Sequence, residues 1–192
     1  MRRILIATIT VVLFVVFLSC SQEGNPLNNG DMGKDYLPVK VGANWHWIST
    51  QNNNSTTIER IIELDSDGYY KAEKGISGPG GVFVSRYYKK IDETGVKIFR
   101  DKDSIFYFEL KKPYKIGTAW SYQTSIETVD CRIVAQNIIE SVSAGTFVDC
   151  IKVVHTIENS LLQETYTVNY TYAPNVGLIK TDFQELENYH IP

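Results

Sequence analysis

Residues 165–172 read "TYTVNYTY", and this stretch decides the fold. Tyr166, Val168, Tyr170 and Tyr172 fall on one side of the chain, and Thr165, Thr167, Asn169 and Thr171 on the other. Successive side chains leave a strand on opposite faces, so a period of two in aromatic and β-branched residues predicts a half-buried antiparallel strand. The pattern recurs at 104–111, "SIFYFELK", where Phe106, Phe108 and Leu110 alternate with Ile105, Tyr107 and Glu109. At 129–138, "VDCRIVAQNI", Val129, Cys131, Ile133 and Ala135 line up against Asp130, Arg132 and Gln136.

Turn residues punctuate these runs: Asp67-Gly68, Gly78-Pro79-Gly80-Gly81, Glu93-Thr94-Gly95, Ser143-Ala144-Gly145 and Pro174-Asn175. They imply roughly nine or ten strands joined mainly as hairpins. No segment of the body carries a 3.6-residue apolar stripe, and the tail "QELENYHI" (184–191) offers a helical turn at most. The expected class is all-β, with strongly curved antiparallel sheet closing as a half-barrel, a barrel or a sandwich.

One phrase is written twice, as "PVKVGANWHW" (38–47) and "PYKIGTAWSY" (113–122). Proline, lysine, a β-branched residue, glycine and tryptophan recur in register, and Tyr122 answers Trp47. Each phrase reads as a corner that enters a strand, with Gly42 and Gly117 supplying backbone that a Cβ would obstruct. The aromatics two apart, Trp45/Trp47 and Trp120/Tyr122, share one face and anchor a core. The expectation is a duplicated architecture, residues 36–110 and 111–185.

The first twenty residues, "MRRILIATITVVLFVVFLSC", have a different character. Arg2 and Arg3 precede an uncharged aliphatic run from Ile4 to Leu18, which closes on Leu18-Ser19-Cys20. That order is the plan of a secretory leader. About 15 apolar residues make roughly 23 Å of helix, short of a roughly 30 Å hydrocarbon core. The Leu-Ser-Cys ending resembles the lipobox of bacterial lipoproteins. The resemblance implies removal of residues 1–19, a diacylglycerol thioether on Cys20 and stable membrane anchoring by two or three acyl chains. Ser21 in place of an aspartate implies the outer rather than the inner membrane. Residues 20–35 are rich in Asn and Gly and read as a tether, leaving 36–192 as the β domain.

Three further motifs span most of that domain: Tyr36-x-Pro38…Gly42…Trp45-x-Trp47, Ala144-Gly-Thr-Phe147-x-x-Cys150 and Tyr172-Ala-Pro-x-Val-Gly-Leu178. Together they resemble a loose group of β-rich bacterial envelope lipoproteins, some similar to bent half-barrels that shuttle lipoproteins or lipids. Those carriers usually close their mouth with helices, which this sequence lacks. The resemblance implies fold and location and brings no active site with it.

Chemistry is sparsely written. The net charge of −3 becomes −5 once Arg2 and Arg3 are set aside, with no basic run, which excludes nucleic acid as a partner. No cofactor motif is present. Cys131 and Cys150 invite a disulfide in an exported protein. A hairpin turning at 143–145, however, sets Cys131 opposite residue 157 and Cys150 about 23 Å away, against the 4.4–6.8 Å a bridge needs. Two buried free thiols are expected. In the acidic run from Glu63 to Gly68 an EF-hand count puts Lys74 where the bidentate carboxylate belongs. Gly75-Ile-Ser-Gly-Pro79 lacks the second glycine of a nucleophile elbow. His46, His155 and His190 show no metal-ligand spacing.

The remaining candidate is the aromatic face of Tyr166, Tyr170 and Tyr172, either core packing or a concave surface for an amphiphile, a glycan or a partner strand. The leading expectation is a membrane-anchored envelope lipoprotein with a non-catalytic binding or scaffolding domain. A carrier of lipid or another hydrophobic ligand requires a large apolar cavity or open concave face. A hydrolase requires convergent polar side chains in one cleft.

Overall fold

The computed structural model describes residues 34–51, 55–102 and 105–192. The leader, Cys20 and the tether up to residue 33 lie outside the described residues. Twelve strands form one antiparallel sheet: β1 (Asn44–Ser49), β2 (Thr56–Leu64), β3 (Tyr70–Gly78), β4 (Gly81–Asp92), β5 (Gly95–Phe99), β6 (Ile105–Lys111), β7 (Ala119–Gln123), β8 (Glu127–Val142), β9 (Gly145–Asn159), β10 (Glu164–Ala173), β11 (Gly177–Thr181) and β12 (Gln184–His190). No helix occurs among the described residues. The sheet curls into a nearly closed barrel in the order β6-β5-β4-β3-β2-β1-β12-β11-β10-β9-β8-β7. The architecture is therefore a barrel and not a sandwich. Among the described residues the strands number twelve rather than nine or ten; the two-residue turn at Asp182-Phe183, which starts the last strand, carries no glycine or proline to signal it.

The tail corrects the expected helical turn. Gln184–His190 is a strand whose Asn188, Leu186 and Gln184 face His46, Trp47 and Ser49 of β1. A short polar segment takes the sheet's geometry when an unpaired edge waits beside it, since its backbone groups are satisfied by the ladder.

The two written phrases form the same corner. Gly42 (φ 88°) and Gly117 (φ 92°) both occupy the left-handed region. Gly42 N–H donates to Ile61 O and Ile61 N–H to Ala43 O, both at 2.9 Å. Gly117 N–H donates to Ile133 O and Ile133 N–H to Thr118 O, also at 2.9 Å. From these corners Trp45, Trp47 and Trp120 enter the core almost fully buried. Trp45 Nε1 donates to Val176 O (2.6 Å) and Trp47 Nε1 to Leu178 O (3.1 Å). The first and last of the three motifs thus meet as one joint.

Residues 36–39, just ahead of the first corner, are buried, and Leu37, Pro38 and Val39 line the barrel interior. Tyr36, Leu37 and Val39 are buried; Tyr36 donates to Asp149 O (2.8 Å) and meets Tyr114 edge to face at 5.3 Å.

Bulges break two of the simple alternations. In β6 the register slips against β5 at Val96/Lys97 and Ile98/Phe99. Tyr107 and Glu109 then line the interior, although Leu110 beside them is fully buried too. In β8, Val129, Cys131 and Ile133 are buried as expected, but three register shifts follow between Ile133 and Glu140. Cys131 consequently faces His155 rather than residue 157, and Cys150 faces Ile138. Both thiols are free and buried.

Candidate functional site

Inside the barrel is a chamber of about 160 Å³, floored by Leu37, Pro38 and Val39. Strand parity brings its walls together from both halves of the sheet. In β2 the inward residues are Thr57, Glu59 and Ile61, and Glu59 pairs across the ladder with Lys74 of β3. Lys89 of β4 points the same way. Trp45 and Trp47 of β1, Tyr122 of β7, His155 of β9 and Tyr170 and Tyr172 of β10 complete the wall. Lys74, Tyr122 and Gln184 are among its half-buried lining residues. A second cavity of about 270 Å³, reaching Ser85 and Arg100, shares Glu59, Lys74, Tyr107 and Glu109 with the first.

The charged centre is a triad. Lys89, 2% exposed, places Nζ 2.5 Å from Glu59 Oε1 and 2.8 Å from Glu109 Oε2. Burial works to raise the Glu59 carboxyl, but Lys89 and Lys74 outweigh it and hold the group below its ordinary value. Burial likewise raises Glu109, and there the charge of Glu59 adds to it, so this carboxyl ends above its ordinary value. Burial opposes charge on Lys89, yet the two glutamates keep its ammonium above the ordinary lysine value. Two carboxyl groups with opposed shifts thus share one ammonium.

His155 is the second unusual group. Its ring stacks on Tyr170 at 4.1 Å and meets the edge of Trp120 at 6.4 Å. The residue is 6% exposed, and Nε2 is buried without a hydrogen-bond partner. Burial lowers its pKa to about 4, so the imidazole is neutral. A buried ring nitrogen left unsatisfied costs free energy that a bound polar group would recover.

All three tyrosines singled out from the sequence lie on the inner, concave face of β10. The chamber gathers two of them. Tyr172 is fully buried and Tyr170 half-buried in the chamber wall, where burial raises the Tyr170 hydroxyl to about 12. Tyr166 stands apart near the end of the strand, 39% exposed, with its hydroxyl 3.4 Å from Glu127. His46 sits outside the chamber, 2.6 Å from Glu187. Asp65 accepts from the amides of Asp67 and Tyr69 in a turn, and Lys102 lies between Asp65 and Asp67.

Sequence reasoning missed the triad. The signal was present in "TTIERII", where Glu59 occupies the same parity as buried Thr57 and Ile61, and in Lys89 amid "RYYKKI". A charge on the core-facing parity of a strand needs a partner. Periodicity cannot say which partner.

No known family profile matches this chain, and no curated protein sequence matches it. Two solved structures do. A candidate exported protein with a YmcC-like fold from Bacteroides fragilis aligns with a TM-score of 0.57 at 11% identity, over 82% of this chain and 100% of that one. A candidate lipoprotein from Parabacteroides distasonis aligns with a TM-score of 0.47 at 16% identity, over 84% of this chain and 100% of that one. The likeness to the Bacteroides protein is one of fold.

Proposed function

We propose that the protein is a lipid-anchored component of a bacterial cell envelope, held through Cys20 in the outer membrane, whose barrel binds a small ligand without converting it. The observation that carries the binding reading is the chamber, where an unpartnered His155 nitrogen and aromatic faces surround an unfilled space. The leader ending in Leu18-Ser19-Cys20 supports the anchor.

A lipid carrier fits less well. The ionisable side chains Glu59, Lys74 and Glu109 line both the chamber and the cavity beside it, with Lys89 between the two carboxylates, and an apolar chain would leave them without hydrogen-bond partners of its own. Convergence of Glu59, Glu109 and His155 in one place favours a hydrolase as the second reading, since opposed carboxyl shifts are how acid and base roles are divided. Against it stands Lys89, whose ammonium fills the space between the two carboxylates that a scissile bond would need.

Radiolabelled palmitate should enter the full-length chain and be lost in Cys20→Ala; equal labelling of both would overturn the anchor. Saturation-transfer NMR of the full chain against neutral sugars, amino acids and inorganic phosphate should show binding of at least one class. Silence from every class would overturn the binding reading. Turnover of a bound compound that disappears in Glu109→Gln would replace it with the hydrolase.

A further inference from the structure

We infer that the chamber takes one neutral, hydroxyl-bearing six-membered ring, a monosaccharide or cyclitol, held between the aromatic wall and the polar groups His155, Gln184 and Glu109. The inference rests on the binding reading above and names its ligand class.

Three observations converge on it. The first is size. A cavity of about 150 Å³ accommodates a benzene ring in another protein. This chamber, at about 160 Å³, adjoins the cavity of about 270 Å³ with which it shares four wall residues, and the two together leave room for a ring that carries hydroxyls on its rim. The second is charge. Glu59 and Glu109 are matched by Lys89 and Lys74, so the lining carries no surplus of either sign when all four are ionised. A charged ligand would arrive in a buried place whose opposite charges are already engaged, and desolvation would go uncompensated. A hydroxyl exchanges one hydrogen bond to water for one to protein and brings no charge. The third is the arrangement of polar and apolar groups. Trp47, Tyr122, Tyr170 and Tyr172 contribute aromatic surface to the lining, against which the C–H groups of a saturated ring can pack. His155 Nε2, the Gln184 amide and the carboxyl of Glu109 offer both donors and acceptors to its rim.

Hydroxyls are the ligand groups that suit this mixture, because each both donates and accepts. With a neutral imidazole, His155 can play either part through its two tautomers.

The test uses full-length protein in a polyoxyethylene detergent, whose head group carries no sugar. Glucose, galactose, mannose and myo-inositol are probed by saturation-transfer NMR and tryptophan fluorescence, beside glutamate, choline and inorganic phosphate. The expected result is saturation transfer to at least one neutral ring and to none of the charged probes. His155→Leu should weaken that binding about 10-fold, the size of one lost hydrogen bond. Gln184→Ala, at the half-exposed margin, should weaken it in the same direction and serves if His155→Leu fails to fold. Binding of charged probes with none of the neutral rings would overturn the ligand class and leave the binding chamber standing. Binding of no probe would overturn both. Sugar binding unchanged by either substitution would place the ligand elsewhere and overturn the inference.

Discussion

Trp120 donates its indole N–H to the carbonyl of Phe108 at 3.1 Å, across a junction where β6 and β7 share no backbone ladder. Beside it Tyr107 stacks on Tyr122 at 4.8 Å. The barrel is therefore closed there by side chains, and the indole is one of its fasteners. Trp120→Phe keeps most of the apolar bulk, removes the donor and should cost about 1–3 kcal/mol in urea unfolding. A midpoint equal to wild type would show that the seam does not depend on it.

Lys89→Met leaves Glu59 and Glu109 buried without their ammonium. The loss of one partner from a buried ion cluster costs about 3–5 kcal/mol. The defect should be largest near neutral pH and shrink on acidification, because protonated glutamates no longer need the counter-charge. Adding Glu59→Gln and Glu109→Gln to Lys89→Met should recover much of the stability. Thermal unfolding of the single and triple variants at pH 7 and pH 5 checks both statements.

His155 sets a pH dependence with a definite sign. Its pKa falls from an unfolded value near 6.5 to about 4 in the fold. Below pH 6.5 the unfolded chain takes a proton that the folded chain refuses, so stability declines from pH 6.5 toward 4 and then levels. The shift corresponds to at most about 3 kcal/mol. His155→Leu should flatten that portion of the pH–stability curve, measured by urea midpoints.

Burial raises the thiol of Cys131 to about 12 and that of Cys150 to about 11. Thiolate is the reactive form, so neither should react with iodoacetamide at pH 8 in the folded protein. Both should be alkylated after unfolding without any reductant. Mass spectrometry that finds them unlabelled in denaturant would mean they are bridged.

Gly95 (φ 139°) and Gly117 (φ 92°) both hold left-handed backbone, but their surroundings differ. A Cβ on Gly117 meets nothing, whereas one on Gly95 would press on the carbonyl oxygen of Leu110. Gly117→Ala should cost about 1–2 kcal/mol of backbone strain. Gly95→Ala should cost clearly more, since the β5–β6 pairing must shift to admit it. Equal midpoints for the two variants would contradict this ranking.

Much of the barrel was legible in the sequence because strand alternation is a local signal. "TYTVNYTY" does place Tyr166 to Tyr172 on one face, and Gly42 and Gly117 do make equivalent corners. The departures have causes of two kinds, one local and one distant. Bulges in β6 and β8 insert residues that no period of two anticipates, moving Glu109 inward and setting His155 opposite Cys131. The tail became a strand because β1 offered it an edge, which is information held 140 residues away. The chamber was not legible for the same reason: Glu59, Lys89 and Glu109 lie on three strands and become neighbours only when the sheet rolls.

Asn44 pairs with His190, so the first strand of the barrel leans on the last. Trp45 and Trp47 find their acceptors at Val176 and Leu178, each 131 residues further along the chain. A chain emerging amino end first thus carries these two indoles unfastened until β11 has followed them. The joint cannot form before that late stretch is present, so the order of the chain itself delays it.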